Sequence, residues 1–478
     1  MNSTLHPWLL KHHAILWASL GFAFLIIFST VTLTTKPRLW IDEAVSIDIA
    51  RNFQTEHVLD VKTAPETFSG FRERLQSTGY PVTVPLSYFF KLFGYGLTQA
   101  RTYMLLWMVG VLFVLLWLGR KWFGERNGVV SFLLVVTFAS FYANGRTVVG
   151  EIPGLLFLLL GLYFLFSRER PFWAGLFFGF AVVSKLSVFG LLIPVFVVVY
   201  LFEWRRFFKV LVPLAVGMLP AGLTWILLNL DNPFLSSTWS NLIHFYQNPY
   251  SSSIATNVVT NVLAIPHSTT FMYFGALFAV VVVARFLDGA TWKSFYTFVI
   301  VYTLFAFVYY LRSPGWLRYM LIAELLILFV TPHALSAVLH RFKSKLPSIV
   351  SFQSVAVIIF SALIVIQGSQ LFLASDLYSG DGAIQASRHI NEQFPDSSVG
   401  VLNALEVGIL LNTSSRYLAM DLTGVPQVGE NPLFVTEPPQ VIVSHPGQRF
   451  LVEGQKVIDE RYNIAETVGG YTLYERVR

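Results

Sequence analysis

The sequence predicts a polytopic α-helical membrane protein that ends in a small α/β domain. Its 478 residues are 55% hydrophobic and only 13% charged, and its mean hydropathy is +0.61. Apolar runs of about 18 to 21 residues recur along the chain, and such runs are long enough to cross the core of a bilayer. Beyond residue 372 the composition changes to that of a soluble domain. These two observations predict the fold class.

About eleven apolar segments qualify as membrane spans, at 14–34, 102–119, 128–142, 150–166, 172–184, 187–202, 210–228, 270–284, 294–311, 317–339 and 350–372. Basic clusters follow alternate spans, at 120–126, 168–170, 205–209, 285–293 and 341–345. Because loops rich in Lys and Arg stay in the cytoplasm, this spacing predicts a cytoplasmic N-terminus. We expect a multi-pass protein of the cytoplasmic (inner) membrane. Its transmembrane domain is residues 1–372, with outer loops 35–101 and 229–269.

The region 172–202 is too long for one helix and short for two full crossings, and Lys185 lies in its middle. Basic clusters on both sides require an even number of passes. We therefore expect two short helices that meet near Lys185, just below the outer surface.

The tail, residues 373–478, is predicted to form an extracytoplasmic α/β domain. A helical pattern covers 383–394, and strand-like runs cover 398–402, 440–444 and 471–476, separated by Gly and Pro turns. About 100 residues suffice for such a domain. The chain has no Gly-rich phosphate loop after a predicted strand, which argues against a nucleotide-sugar or ATP site.

Two adjacent carboxylates, Asp42 and Glu43, directly follow the first span. They open a stretch in which apolar residues recur at near-helical spacing, at Ile41, Val45, Ile49 and Phe53. This pattern predicts an amphipathic helix along the membrane surface, with Asp48 on another face. Such a helix would hold Asp42 at the interface, where a base can act on a lipid-borne substrate.

The predicted outer face carries several cations within or beside short loops: Arg101, Arg146, Lys185, Arg312 and Arg318. Cations there run against the usual charge distribution, and their burial near the bilayer is unfavourable. One explanation is pairing with Glu43, Glu151 or Glu324, or contact with lipid phosphates. The other is an anion site at the outer leaflet, for which phosphate is the natural ligand.

Five motifs along the membrane region fit one family when they are taken in order. They are Asp42-Glu43, the Pro-rich segment 80–88 followed by Phe93-Gly94, Arg101, Gly150-Glu151-Ile152-Pro153 and Arg318-Tyr319. With these motifs the chain resembles the C-type (GT-C) glycosyltransferases. The bacterial branch related to protein O-mannosyltransferases and to lipid A aminoarabinose transferases is the most similar. The Trp-Trp-Asp motif of oligosaccharyltransferases is absent, which argues against block transfer of oligosaccharides to Asn.

The resemblance implies an inverting transfer of a sugar from a polyprenyl-phosphate donor to an acceptor hydroxyl. Asp42 would be the base, with Glu43 as the second catalytic carboxylate. The candidates for donor-phosphate binding are Lys185 and Arg318, followed by Arg101 and Arg146. Tyr80, Glu151 and Tyr319 would line the substrate pocket. Relatives often have His or Lys at the position of Tyr80, so no phosphate contact is inferred for it.

No metal or other cofactor is required by this chemistry, and the absence of Cys excludes thiolate-bound zinc. His244 and His267 with a carboxylate are the minor alternative, a divalent metal site. The expected partners are the lipid-linked sugar, membrane lipids and an acceptor protein, lipid or glycan, but not nucleic acid. The alternatives are a transporter or lipid flippase using Glu324, a polysaccharide ligase of the cell envelope, and a non-catalytic member of the same fold.

Overall fold

The computed structural model describes residues 5–201, 204–230, 234–235, 238–240, 242–243, 253–287, 293–341, 352–377, 379–413, 415–420, 438–445 and 452–477. The elements of the first half are α1 (Leu5–Val31), α2 (Ile41–Glu56), β1 (Lys62–Ala64), β2 (Thr67–Phe68), α3 (Arg72–Leu75), α4 (Tyr80–Phe93), α5 (Leu97–Phe123), α6 (Glu125–Val136), α7 (Ala139–Gly145), α8 (Glu151–Phe166), α9 (Pro171–Ser184), α10 (Leu186–Phe189), α11 (Leu192–Leu201) and α12 (Trp204–Asn229). The second half contains α13 (Ile254–Ala264), α14 (Thr269–Leu287), α15 (Lys293–Arg312), α16 (Leu321–Arg341), α17 (Phe352–Leu377), α18 (Gly382–Gln393), β3 (Val399–Leu402), α19 (Leu405–Gly408), β4 (Arg416–Ala419), β5 (Val441–Ser444), α20 (Val452–Arg461), β6 (Tyr462–Val468) and β7 (Tyr471–Arg476).

The prediction of a polytopic helical membrane protein is confirmed. Within the described residues, 7 helices are long and apolar enough to cross a membrane, or up to 8 if α6 and α7, which bend by 63°, form one span. Three shorter apolar helices lie at Glu151–Phe166, Pro171–Ser184 and Leu186–Leu201. Each of the predicted spans coincides with one of these helices. The exact number of crossings stays a prediction, because the short helices do not reach the length of a full span.

The helical conformation is interrupted at Lys185, where the sequence predicts that two short helices meet. α9 ends at Ser184, and Lys185 has the extended torsion angles φ −154° and ψ 88°. Two glycines let other segments approach this break. A Cβ at Gly79 would lie 1.7 Å from the Val183 carbonyl oxygen, and a Cβ at Gly150 would lie 1.9 Å from that of Ser184. No other residue type fits at either position, so α4 and α8 both begin against the break.

The acidic helix α2 forms where predicted but does not lie free along a surface. It packs against α4, β1 and α19, and its polar residues Glu43, Asp48 and Asn52 are buried with its apolar ones. Asp48, which the pattern places on a different face from the apolar residues, is therefore buried as they are. Burying carboxylates is costly unless they are paired, and both buried carboxylates have cationic partners.

The C-terminal region forms a five-stranded sheet in the order β4-β3-β5-β7-β6. β3 pairs in parallel with β4 and β5, whereas β7 pairs antiparallel with β5 and β6. Helix α18 and three of the strands match the predicted elements. The small α/β domain is thus confirmed, and one hydrophobic cluster joins it to α2, α4 and the start of α5.

Candidate active site

Asp42 lies in the first turn of α2 and forms an ion pair with Arg318. The distance from its Oδ2 to Nη1 of Arg318 is 2.5 Å, and the side chain of Asp42 is 27% exposed. Within the described part of the chain, its Oδ1 has no hydrogen-bond partner. One carboxylate oxygen is therefore held while the other remains accessible to a ligand.

Aromatic rings surround Arg318. Its guanidinium carbon lies 4.9 Å from the centre of the Trp40 ring, 4.6 Å from that of Trp316 and 5.5 Å from that of Tyr319. Cation–π contacts of this kind stabilise and orient a guanidinium. Its buried Nε has no hydrogen-bond partner. The arginine therefore retains donor capacity beyond its contact with Asp42.

Helix α13 fixes the turn that leads to Arg318. The side-chain amide of Asn261 donates to the carbonyl oxygens of Leu311, at 3.0 Å, and Ser313, at 2.8 Å. Gly315 follows with φ +82°, a conformation that favours glycine. Because Asn261 caps the end of α15, the next helical turn starts at a defined place and carries Arg318 toward Asp42.

A second pair, Lys185 and Glu151, belongs to the same cluster. Nζ of Lys185 lies 3.9 Å from Oε1 of Glu151 and donates to Oγ of Ser77 at 3.3 Å. Glu151 also interacts electrostatically with Arg318. Its Oε2 is buried and has no hydrogen-bond partner. Two ion pairs from distant segments of the chain therefore lie within electrostatic range of each other, and several of their polar atoms have no partner in the described protein.

Glu43 and Arg101 form a separate, buried pair. Nε and Nη2 of Arg101 donate to the two oxygens of Glu43 at 2.9 and 2.7 Å, and both side chains are 0% exposed. Nη1 of Arg101 donates to the carbonyl oxygens of Leu33 and Pro37. This two-point geometry leaves neither side chain accessible to a ligand. It fixes α2 on the membrane domain, and this geometry favours a structural role for the pair, while the catalytic role expected for Glu43 and the phosphate-binding role expected for Arg101 stay predictions.

The remaining predicted site residues lie in different surroundings. Arg146 is buried, donates to Oγ1 of Thr32 at 2.6 Å and packs beside the rings of Phe28 and Tyr142. Tyr80 begins α4, and its hydroxyl donates to the Ala221 carbonyl oxygen at 3.3 Å.

Glu324 is buried within α16. In the described part of the chain Arg318 pairs with Asp42 and not with Glu324.

A metal ligand set is not visible in the part of the chain that the structure describes, which has no group of three or more His, Asp or Glu arranged to hold an ion. His267 lies in a short 3-10 helix before α14. His244 lies outside the described residues, so the alternative of a metal at these two histidines is not tested.

Sequence reasoning missed Trp40, Trp316 and Ser77. The two tryptophans were detectable, because each stands two residues before a charged residue of the site. Ser77 gave no signal, since its contact with Lys185 depends on tertiary packing.

The helical membrane region and the small C-terminal sheet have the architecture that the resemblance to C-type glycosyltransferases implied, and solved structures share this fold. The chain is similar to ArnT from Cupriavidus metallidurans bound to undecaprenyl phosphate, with 14% identity, a TM-score of 0.63 and coverage of 96% of this chain and 98% of that chain. The apo state of the same protein matches with 14% identity, a TM-score of 0.60 and coverage of 99% of both chains.

A third solved structure has the same fold. It is the Archaeoglobus fulgidus oligosaccharyltransferase in complex with Zn and sulfate, with 13% identity, a TM-score of 0.58 and coverage of 95% of this chain and 72% of that chain. Residues 84–227 match the family model described as dolichyl-phosphate-mannose-protein mannosyltransferase. No curated protein sequence matches the chain. At these identities the structural similarity establishes the fold.

Proposed function

We propose that this protein is an inverting glycosyltransferase that moves a sugar from a polyprenyl-phosphate donor to an acceptor hydroxyl. The observation that carries this proposal is the partly exposed Asp42, paired with Arg318 beside Lys185 and Glu151. The fold supports it, because ArnT, which shares the fold, was solved with undecaprenyl phosphate bound.

Asp42 is the general base in this proposal. Its Oδ1 accepts the proton of the acceptor hydroxyl while the hydroxyl oxygen attacks the anomeric carbon of the donor. The new glycosidic bond forms as the bond from the anomeric carbon to the phosphate oxygen breaks. The ion pair with Arg318 holds the carboxylate in place.

Arg318 and Lys185 stabilise the leaving phosphate. Each has donors that its protein partners do not use, and charge-assisted hydrogen bonds to phosphate are strong. Fixed cations in a partly dry site stabilise developing negative charge without a metal. In this proposal Oε2 of Glu151, which has no hydrogen-bond partner in the described protein, accepts a hydrogen bond from a sugar hydroxyl, and Tyr319 and Tyr80 contribute to the substrate pocket.

In the direct experiment, the purified protein is reconstituted in vesicles and supplied with a panel of radiolabelled undecaprenyl-phosphate sugars. Envelope lipids, glycans and proteins are supplied as acceptors. We expect label to move from at least one donor to an acceptor. If the protein only exchanges donor between leaflets and transfers no sugar, a flippase is the correct assignment.

We further propose that the site and the C-terminal domain face the outside of the cytoplasmic membrane. The chain contains no native Cys, so single cysteines report its topology. Gln393→Cys is expected to react with a membrane-impermeant maleimide in intact cells, whereas Arg126→Cys and Lys209→Cys react only after permeabilisation. All three positions are exposed. Protection of Gln393→Cys in intact cells would reverse the orientation.

A further inference from the structure

Three carboxylates of α2 point in different directions, and each meets a cation from a different part of the molecule. At about 100° per residue, Glu43 lies about 100° and Asp48 about 240° around the helix from Asp42. Asp42 pairs with Arg318 at the start of the α16 segment, and Glu43 pairs with Arg101 of α5. Asp48 pairs with Arg416, which begins β4 of the C-terminal domain.

The Asp48–Arg416 pair is buried, and both of its side chains make further hydrogen bonds. Nη2 of Arg416 lies 2.7 Å from Oδ1 of Asp48, with side-chain exposures of 9% and 0%. Nη1 of Arg416 donates to the Gly408 carbonyl oxygen at 3.2 Å. Oδ2 of Asp48 accepts from Asn52 at 3.1 Å and from the Lys62 amide at 3.2 Å. Breaking one side of such a buried pair is costly, because the other charge remains uncompensated.

Apolar packing and a second polar contact reinforce this junction. Residues from both sides share one hydrophobic cluster, including Ala44, Val45, Ile47 and Ile49 of α2 and Leu405, Val407 and Leu418 of the C-terminal domain. The Tyr95 hydroxyl donates to the Ile409 carbonyl oxygen at 2.6 Å. The C-terminal domain thus contacts α2 through apolar packing as well as through the ion pair.

We propose that the C-terminal domain positions the catalytic helix, and that Arg416 is the positioning residue through which it acts on Asp42. This inference rests on the proposed function, in which Asp42 is the base. Arg101 fixes α2 on one side near its start. Arg416 fixes a side about 140° around the helix from the Arg101 contact and about 7.5 Å further along the axis. Together the two anchors prevent both rotation and tilt.

Loss of the Arg416 anchor affects the chemical step more than donor binding. A displacement of about 1 Å of a catalytic group can lower a rate by about 100-fold. The proposed phosphate contacts, Arg318 and Lys185, lie outside α2. Arg416→Met is therefore expected to lower kcat by about 10- to 100-fold while the KM for the donor stays near that of the parent.

The experiment compares kcat and donor KM of the parent, Arg416→Met, Arg416→Lys and the double variant Asp48→Asn/Arg416→Met, with the most active radiolabelled undecaprenyl-phosphate sugar. Arg416→Lys should recover part of the lost kcat. The double variant, which leaves no unpaired charge, should fold well but remain slow. Tyr471→Phe is the matched control, because it removes a buried hydrogen bond to Glu406 inside the same domain. It should lower thermal stability without lowering kcat.

Hydrogen–deuterium exchange of the α2 amides provides a readout independent of activity. Arg416→Met should accelerate exchange across residues 41–48, and Tyr471→Phe should not. Equal losses of kcat in Arg416→Met and Tyr471→Phe, or unchanged α2 exchange in Arg416→Met, would overturn the positioning role. An inactive parent with the expected exchange pattern would instead count against the proposed function alone.

Discussion

Asp42→Asn is expected to leave a folded protein that transfers almost no sugar. The amide is nearly isosteric with the carboxylate but cannot accept a proton at neutral pH, so the base is lost with little change in packing. Loss of a general base typically lowers a rate by about 100- to 10,000-fold. Initial rates of label transfer by the purified variant, measured beside its thermal melting curve, test this expectation.

Glu56→Gln is the matched control for this variant. Glu56 lies at the other end of α2, where it pairs with Lys62 at 2.7 Å and is 35% exposed. An exposed pair of this kind contributes little to stability, so this variant should transfer sugar like the parent. Glu43→Gln is a different case, because it breaks the buried pair with Arg101 and should lower stability. Full activity of folded Asp42→Asn would remove Asp42 from the mechanism.

Arg318→Met and Lys185→Met are expected to weaken the binding of undecaprenyl phosphate. A hydrogen bond to a charged group contributes about 1.5–3 kcal/mol, which corresponds to a loss of about 10- to 150-fold in affinity. Arg318→Met should also lower kcat, because the same residue holds Asp42. Binding of undecaprenyl phosphate to the purified variants gives the affinities directly.

Lys91→Met supplies the comparison for these two variants, since it removes an exposed cation of α4 that is not part of the proposed phosphate site. Its affinity should match that of the parent. If Arg318→Met and Lys185→Met both fold and bind undecaprenyl phosphate as tightly as the parent, the phosphate lies elsewhere. The buried Arg146 would then be the next candidate.

Local patterns in the sequence predict the helices well. Apolar runs locate the membrane helices, and the charge balance around Lys185 predicts the break between α9 and α10. Two strands of the C-terminal sheet have no such signal. β4 begins with the charged residue Arg416, and β6 is an edge strand whose side chains are mostly exposed. Neither strand shows the alternation that marks a half-buried strand.

Local sequence patterns do not predict which charged side chains pair with each other in the site. Asp42 and Arg318 are 276 residues apart in the sequence, and Asp48 and Arg416 are 368 residues apart. The sequence predicts that outer-face cations need compensation, but only tertiary packing decides which carboxylate each one meets. Glu43 shows the consequence most clearly, because its position next to Asp42 indicated a shared catalytic role, whereas its side chain makes a buried two-point contact with Arg101.

The anomeric configuration of the transferred sugar tests the central claim most directly. In a single displacement the acceptor oxygen attacks the face opposite the leaving phosphate, with Asp42 as the base. NMR of the purified product, compared with the undecaprenyl-phosphate donor, should therefore show inversion at the anomeric carbon. Retention of configuration would require a covalent sugar–enzyme intermediate or an equivalent double displacement, and would contradict the account.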